Sequence, residues 1–241
     1  MKGELKLLGL AHGMVLGLVL ASPMIAPALL PGGVEALFIV AAFQLRLADR
    51  RWETRAGLQG WISHIRMAPL RLLPWGGTAM VALIAGPEQA RLATAILMAV
   101  LMGELLIYPV GAHLLGRLPR RGLAGAILLL LIGCGFAGQG AEPGQAARFA
   151  MAFALGMSGC VFWLRGPDGE AGSTLCALAG AVAALLGGML LPVVLPIAVP
   201  AGSLCLTLVL AHLSVMRRHP LHWRLPGGMR FIRRAGLRQG Q

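Results

Sequence analysis

The chain has 241 residues, 57% of them hydrophobic and only 12% charged, with a formal net charge of +12. A soluble domain of this length carries about twice that charged fraction, and the apolar residues come in runs long enough to cross a hydrocarbon core of about 30 Å. A soluble enzyme and a nucleic-acid-binding domain are therefore excluded: the positive charge gathers at segment ends, and the polar segments are too short to build a core of their own.

The first apolar run, 7–30, carries Gly9, Gly13 and Gly17 at four-residue spacing. That spacing makes a small-residue face for another helix. Val19-Leu20-Ala21 before Ser22 has the form of a signal-peptide cleavage site, but the run continues beyond it and holds His12, so a span is expected. The run ends in a proline ladder, Pro23, Pro27 and Pro31, closed by Gly32-Gly33. A second run, 33–47, ends in Arg46, Arg50, Arg51 and Arg55. Residues 49–71 are too polar to span. Trp52, Leu58, Trp61, Ile62 and Ile65 alternate with Arg55, His64, Arg66 and Arg71, which predicts an amphipathic helix in the membrane interface over about 49–71.

Further runs follow at 72–86, 89–116, 122–138, 146–164, 173–191 and 197–215. The last is entered through a second ladder, Pro192, Pro196 and Pro200. Residues 217–241 hold seven arginines and no acid. They are expected to form a basic cytoplasmic tail drawn to anionic lipid headgroups, behind a single transmembrane domain at 1–216. With the amino terminus in the cytoplasm and eight alternating spans, only Arg91 and Arg148 of the 21 Lys and Arg fall outside. The positive-inside rule thus favours an even span count. The expected fold is an all-α polytopic bundle of about eight spans with both termini cytoplasmic, in a bacterial-type inner membrane.

Four groups of residues are candidates for chemistry. Glu104 sits near the middle of the fourth run. An acid at that depth costs several kcal/mol unless it is paired, protonated or hydrated, so it is expected to be neutral, its own span offering no base, and to lie on a substrate or ion pathway. The ladders are the second group. A proline inside a helix has no N–H and frees the carbonyl four residues earlier. Pro27, Pro31, Pro196 and Pro200 are accordingly placed beside that pathway, with the two ladders packed together around a cavity. His12, His113 and His212, on the first, fourth and eighth runs, are the third group, at one depth where a cofactor-anchoring subunit would hold haem or metal. The cysteines 134, 160, 176 and 205 form no CxxC pair and read as small buried hydrophobes.

The fourth group is Gly156-Met-Ser-Gly159, followed by Ala211-His212 two spans later. This pattern resembles the GxSG serine and the alanine–histidine pair of rhomboid intramembrane serine proteases. The resemblance implies Ser158 as nucleophile and His212 as base. The HxxxN motif and the long first loop of that family have no counterpart here.

No phosphate loop, metalloprotease motif or CDP-alcohol signature is present. The sequence thus points first to a permease-like transport protein or a subunit of a transport complex, without a cofactor or metal of its own. A rhomboid-like protease and a structural or cofactor-anchoring subunit are the alternatives. Anionic lipids and other membrane subunits are the expected partners, nucleic acid is not.

Overall fold

A computed structural model describes residues 6–25, 30–49, 58–85, 87–137, 142–166 and 171–216. Pro27 and the basic tail lie outside them. The described residues are helical throughout apart from short turns: α1 (Lys6–Ile25), α2 (Leu30–Ala48), α3 (Leu58–Ala85), α4 (Pro87–Met102), α5 (Tyr108–Leu115), α6 (Arg120–Ala137), α7 (Glu142–Leu164), α8 (Ala171–Leu190) and α9 (Leu195–Met216). A π-helical segment, Gly103–Ile107, joins α4 to α5, so the two make one rod. Among the described residues there are thus eight rods. Seven contain stretches long and apolar enough to span, and the apolar stretch of α1, Leu7–Ser22, is shorter.

The rods alternate in direction, as short connections require. Contacts advance in the same sense along α2 and α7, from Phe38–Phe149 to Phe43–Trp163. They do so along α7 and α9, from Arg148–Pro196 to Trp163–His212. The α4–α5 rod runs the same way, with Gly103 against Phe153 and Gly111 against Met157. α1 runs opposite to α2, with Val19 against Gly33 and His12 bonded to Gln44.

The centre of the bundle is α2 and α7. Their spanning windows are 56% and 67% buried, against 11% for α6 and 17% for α8. The closest approach comes at Gly156, where a Cβ would overlap the Ile39 carbonyl. The exposed large side chains of α3, α6 and α8, such as Leu73, Leu129 and Leu185, face outward. Such an apolar exterior, with helices meeting closely at glycines inside, is the build of a multi-pass membrane protein.

One sequence expectation changes. Residues 50–57 lie outside the described residues, and residues 58–71 are the first half of α3, continuous with 72–85 through Pro69 and Pro74. The spanning window of α3 opens at His64. Polar residues of this stretch therefore enter the bundle rather than lying along the interface, and the reason is a partner waiting for them on the next rod.

Candidate functional site

That partner is built by Pro109. Lacking an N–H, it removes the α-helical donor of the Leu105 carbonyl. The helix responds by widening: the Tyr108 N–H donates to Gly103 O, five residues back, which is the π pattern. The Glu104 carbonyl loses its usual donor as well. Both carbonyls are met by side chains of α3. The Trp61 indole N–H donates to Leu105 O at 3.2 Å, and His64 Nε2 donates to Glu104 O at 3.1 Å. Gly103 leaves room for this bulge against the Phe153 ring, 3.2 Å from where a Cβ would stand.

The Glu104 side chain turns to the same neighbours. Arg71 Nε and NH2 each stand 2.9 Å from Glu104 Oε2, and His64 Nε2 lies 3.1 Å from that oxygen. Arg71 NH2 lies along the imidazole, 3.1 Å from Nε2 and 3.3 Å from Nδ1. The same NH2 donates to His64 O at 2.8 Å. Tyr108 stacks on the His64 ring at 4.4 Å and donates to Asp49 Oδ2 at 3.2 Å. Arg46, itself buried, donates to the Asp49 carbonyl at 3.0 Å. Glu104 and His64 are sealed, at 5% and 3% exposure, whereas the Arg71 side chain is 27% exposed. The expectation of a solitary acid is thus replaced by an acid–arginine pair whose second member comes from a different rod.

The prolines singled out in sequence play other parts. Pro31 is the second residue of α2 and Pro196 the second of α9. For Pro196, just past the break at Leu191, the missing N–H has no intrahelical acceptor to lose. Pro200 does lie inside α9 and frees the Pro196 carbonyl. Arg148 of α7 reaches that carbonyl at 3.4 Å while gripping Glu35 of α2, with NH2 on Oε2 at 3.0 Å and Nε on Oε1. The ladders do approach each other: a Cβ on Gly32 would stand 3.5 Å from Val199 Cγ1. The groove beside the second ladder, about 380 Å³, is lined by aliphatic residues of α8 and α9. Glu104 lies toward the opposite end of the bundle, in the layer of Asp49 at the end of α2.

Ser158 is buried, and its hydroxyl donates to Ala154 O at 2.8 Å within α7. His212 is buried edge-on to Trp163. The glycines of the GxSG stretch serve close packing, Gly156 on the α2 backbone and Gly159 on Leu204. His12 bonds Gln44 at 2.8 Å, and His113 is exposed. Among the described residues no group of three His, Cys, Asp or Glu converges on a metal position.

Sequence reasoning missed Arg71, His64, Trp61 and Pro109. The signal for the last was present, since Pro109 follows Glu104 by five residues and frees carbonyls beside it. Compared with protein-family models, with curated proteins and with solved structures, the chain shows no match. What it is shown to be is therefore what its own residues build, an apolar multi-pass helical bundle with two buried acid–arginine pairs.

Proposed function

We propose that this protein is a permease-like transport protein, or a subunit of a membrane transport complex, of a bacterial-type inner membrane, with Glu104 on its substrate or ion pathway. The observation that carries the reading is Glu104 itself, a sealed acid lodged in a π-bulge and held by Arg71 and His64 of the neighbouring rod. A bundle that only needed stability would gain by replacing such a pair with hydrocarbon side chains. π-Bulges concentrate at functional sites. A paired acid and arginine also exchange partners with a charged solute or a proton without leaving a bare charge in the bilayer.

The arginine distribution supports a topology with both termini in the cytoplasm and the basic tail on anionic headgroups. α2, α4–α5, α7 and α9 then all run toward the cytoplasm, with Glu104 on the cytoplasmic side of Glu35. The Ser158–His212 reading has less support, because the serine proton is already engaged within its own helix.

The test is solute counterflow in proteoliposomes containing the purified full-length chain. Pooled labelled amino acids, sugars and carboxylic acids serve as probes. Wild-type protein should exchange at least one pool, and Glu104→Gln should lose that exchange at equal incorporation. No exchange by wild type, or equal exchange by Glu104→Gln, refutes the reading.

A further inference from the structure

The second acid–arginine pair lies where α2, α7 and α9 begin. Glu35 is 2% exposed and the Arg148 side chain 17%. Arg148 bonds a carboxylate on one rod and a backbone carbonyl on another, so one guanidinium ties three rods together. Directly beneath lies an aromatic layer: Phe38, one turn past Glu35, stacks on Trp75 at 4.1 Å and on Phe149 at 5.5 Å. From Glu35 to Asp49, which marks the Glu104 layer, α2 rises about 21 Å over 14 residues.

We propose that Glu35, Arg148 and the Pro196 carbonyl form a gate that closes one face of the bundle over the path to Glu104, an inference that rests on the transport reading. Three features make this pair a gate rather than a fixed brace. First, the element that Arg148 holds is short and isolated by breaks. The first turn of α9 stands between Leu191, which leaves α8 with non-helical φ −130° and ψ 88°, and Pro200, which removes a bond of that turn. Residues at the ends of elements are where hinges absorb dihedral change.

Second, the turn borders a groove. The groove of about 380 Å³ between α8 and α9 is bordered by Leu195, Ala198 and Val199 of the same turn. Third, Gly32 offers Val199 no side chain, so α2 and α9 meet there without interlocking. Release of Arg148 from Pro196 O and Glu35 lets the turn swing toward the groove. The Phe38–Trp75–Phe149 stack is then exposed to water from the face where α2 begins.

The test measures water access directly and needs no solute. A reporter, Ala152→Cys, is placed below the aromatic layer in full-length protein whose four native cysteines are replaced by alanine. A membrane-impermeant sulfonated maleimide is added to vesicles of either orientation. The reporter should label slowly when the clamp is intact. Glu35→Gln/Arg148→Gln, which leaves no unpaired charge, should raise the labelling rate at least about tenfold from the face where α2 begins. A disulfide between Gly32→Cys and Val199→Cys, formed in that background, should return the rate to its starting value, and reductant should restore it.

An unchanged rate in the double variant, at normal incorporation and unfolding temperature, overturns the gate. Faster labelling from the opposite face alone does so too. Should the double variant unfold, Glu35→Asp, which keeps the charge but shortens the reach, takes its place under the same criteria. Counterflow measured on the same vesicles separates the two readings. Gated labelling without exchange removes the transport reading and leaves the opening, whereas exchange without gated labelling removes only the gate.

Discussion

The two acid–arginine pairs are built by one device and finished differently. In each, a proline deprives a carbonyl of its helical donor, an acid lies nearby, and an arginine from another rod approaches. Glu35, Arg148 and Pro196 O form one set. Glu104 and Arg71, with the Glu104 and Leu105 carbonyls, form the other. Arginine carries five N–H donors and can serve a carboxylate and a carbonyl together. That explains Arg148, which meets both needs alone. At Glu104 the work is divided: Arg71 holds the carboxylate, while His64 and Trp61 take the carbonyls. The pair at the helix starts is minimal and closed. The pair in the π-bulge is larger and opens at its arginine. A gate that is simply shut or open needs only the first arrangement, whereas a site that changes partners needs the second.

Mutation should widen this difference. The largest expected effect is Arg148→Leu, which leaves Glu35 buried without its cation and the Pro196 carbonyl without its donor. Breaking a buried pair by removing one partner costs about 3–5 kcal/mol, read as a lowered unfolding temperature in detergent. Adding Glu35→Leu should recover much of that loss. A double variant no better than Arg148→Leu alone would show that the pair acts through packing rather than charge.

Glu104→Ala comes next. Its arginine is more exposed, so the loss should be smaller, about 1–3 kcal/mol, and Glu104→Gln should lose less than Ala because the amide oxygen still accepts from Arg71. A cost at Glu104 larger than at Arg148 would reverse the assignment of gate and site. Pro109→Ala should restore an N–H for Leu105 O and draw the π segment toward α-helical geometry. Trp61 is then released, visible as a red shift of its emission in a variant lacking the other tryptophans. An unchanged spectrum would mean that the bulge is held by Gly103 and Phe153 rather than by the proline.

The smallest effect should come from Ser158→Ala. A hydroxyl bonded to the carbonyl four residues earlier adds little to helix stability, so the change should stay within about 0.5 kcal/mol. Counterflow should be retained. Normal unfolding with abolished activity would instead bring the serine nucleophile back to the front.

Much of this was legible in the sequence, for reasons that particular residues make plain. Long apolar runs with arginines at their ends can be satisfied only by helices crossing a bilayer, because backbone groups in hydrocarbon must bond within their own segment. The class and the number of rods follow from that rule, and the same rule marks Glu104 as an acid that needs a partner. The same rule says that a proline frees a carbonyl, which made the ladders conspicuous and allowed their approach at Gly32 and Val199 to be foreseen.

Which carbonyl matters, and what meets it, is a question of partners on other rods, and no local rule supplies those. Pro196 looks like a helix breaker in the sequence and proves to stand at a helix start, where a missing N–H costs nothing. His64 and Arg71 look like the polar face of an interfacial helix. They enter the bundle because α3 packs beside the π-bulge, where an acid and two carbonyls lack donors. Hydrophobic length fixes that a segment crosses the membrane. Only the rotation and depth of each rod against its neighbours decides which charges meet, since a charge inside the bilayer is stable only opposite the group that answers it.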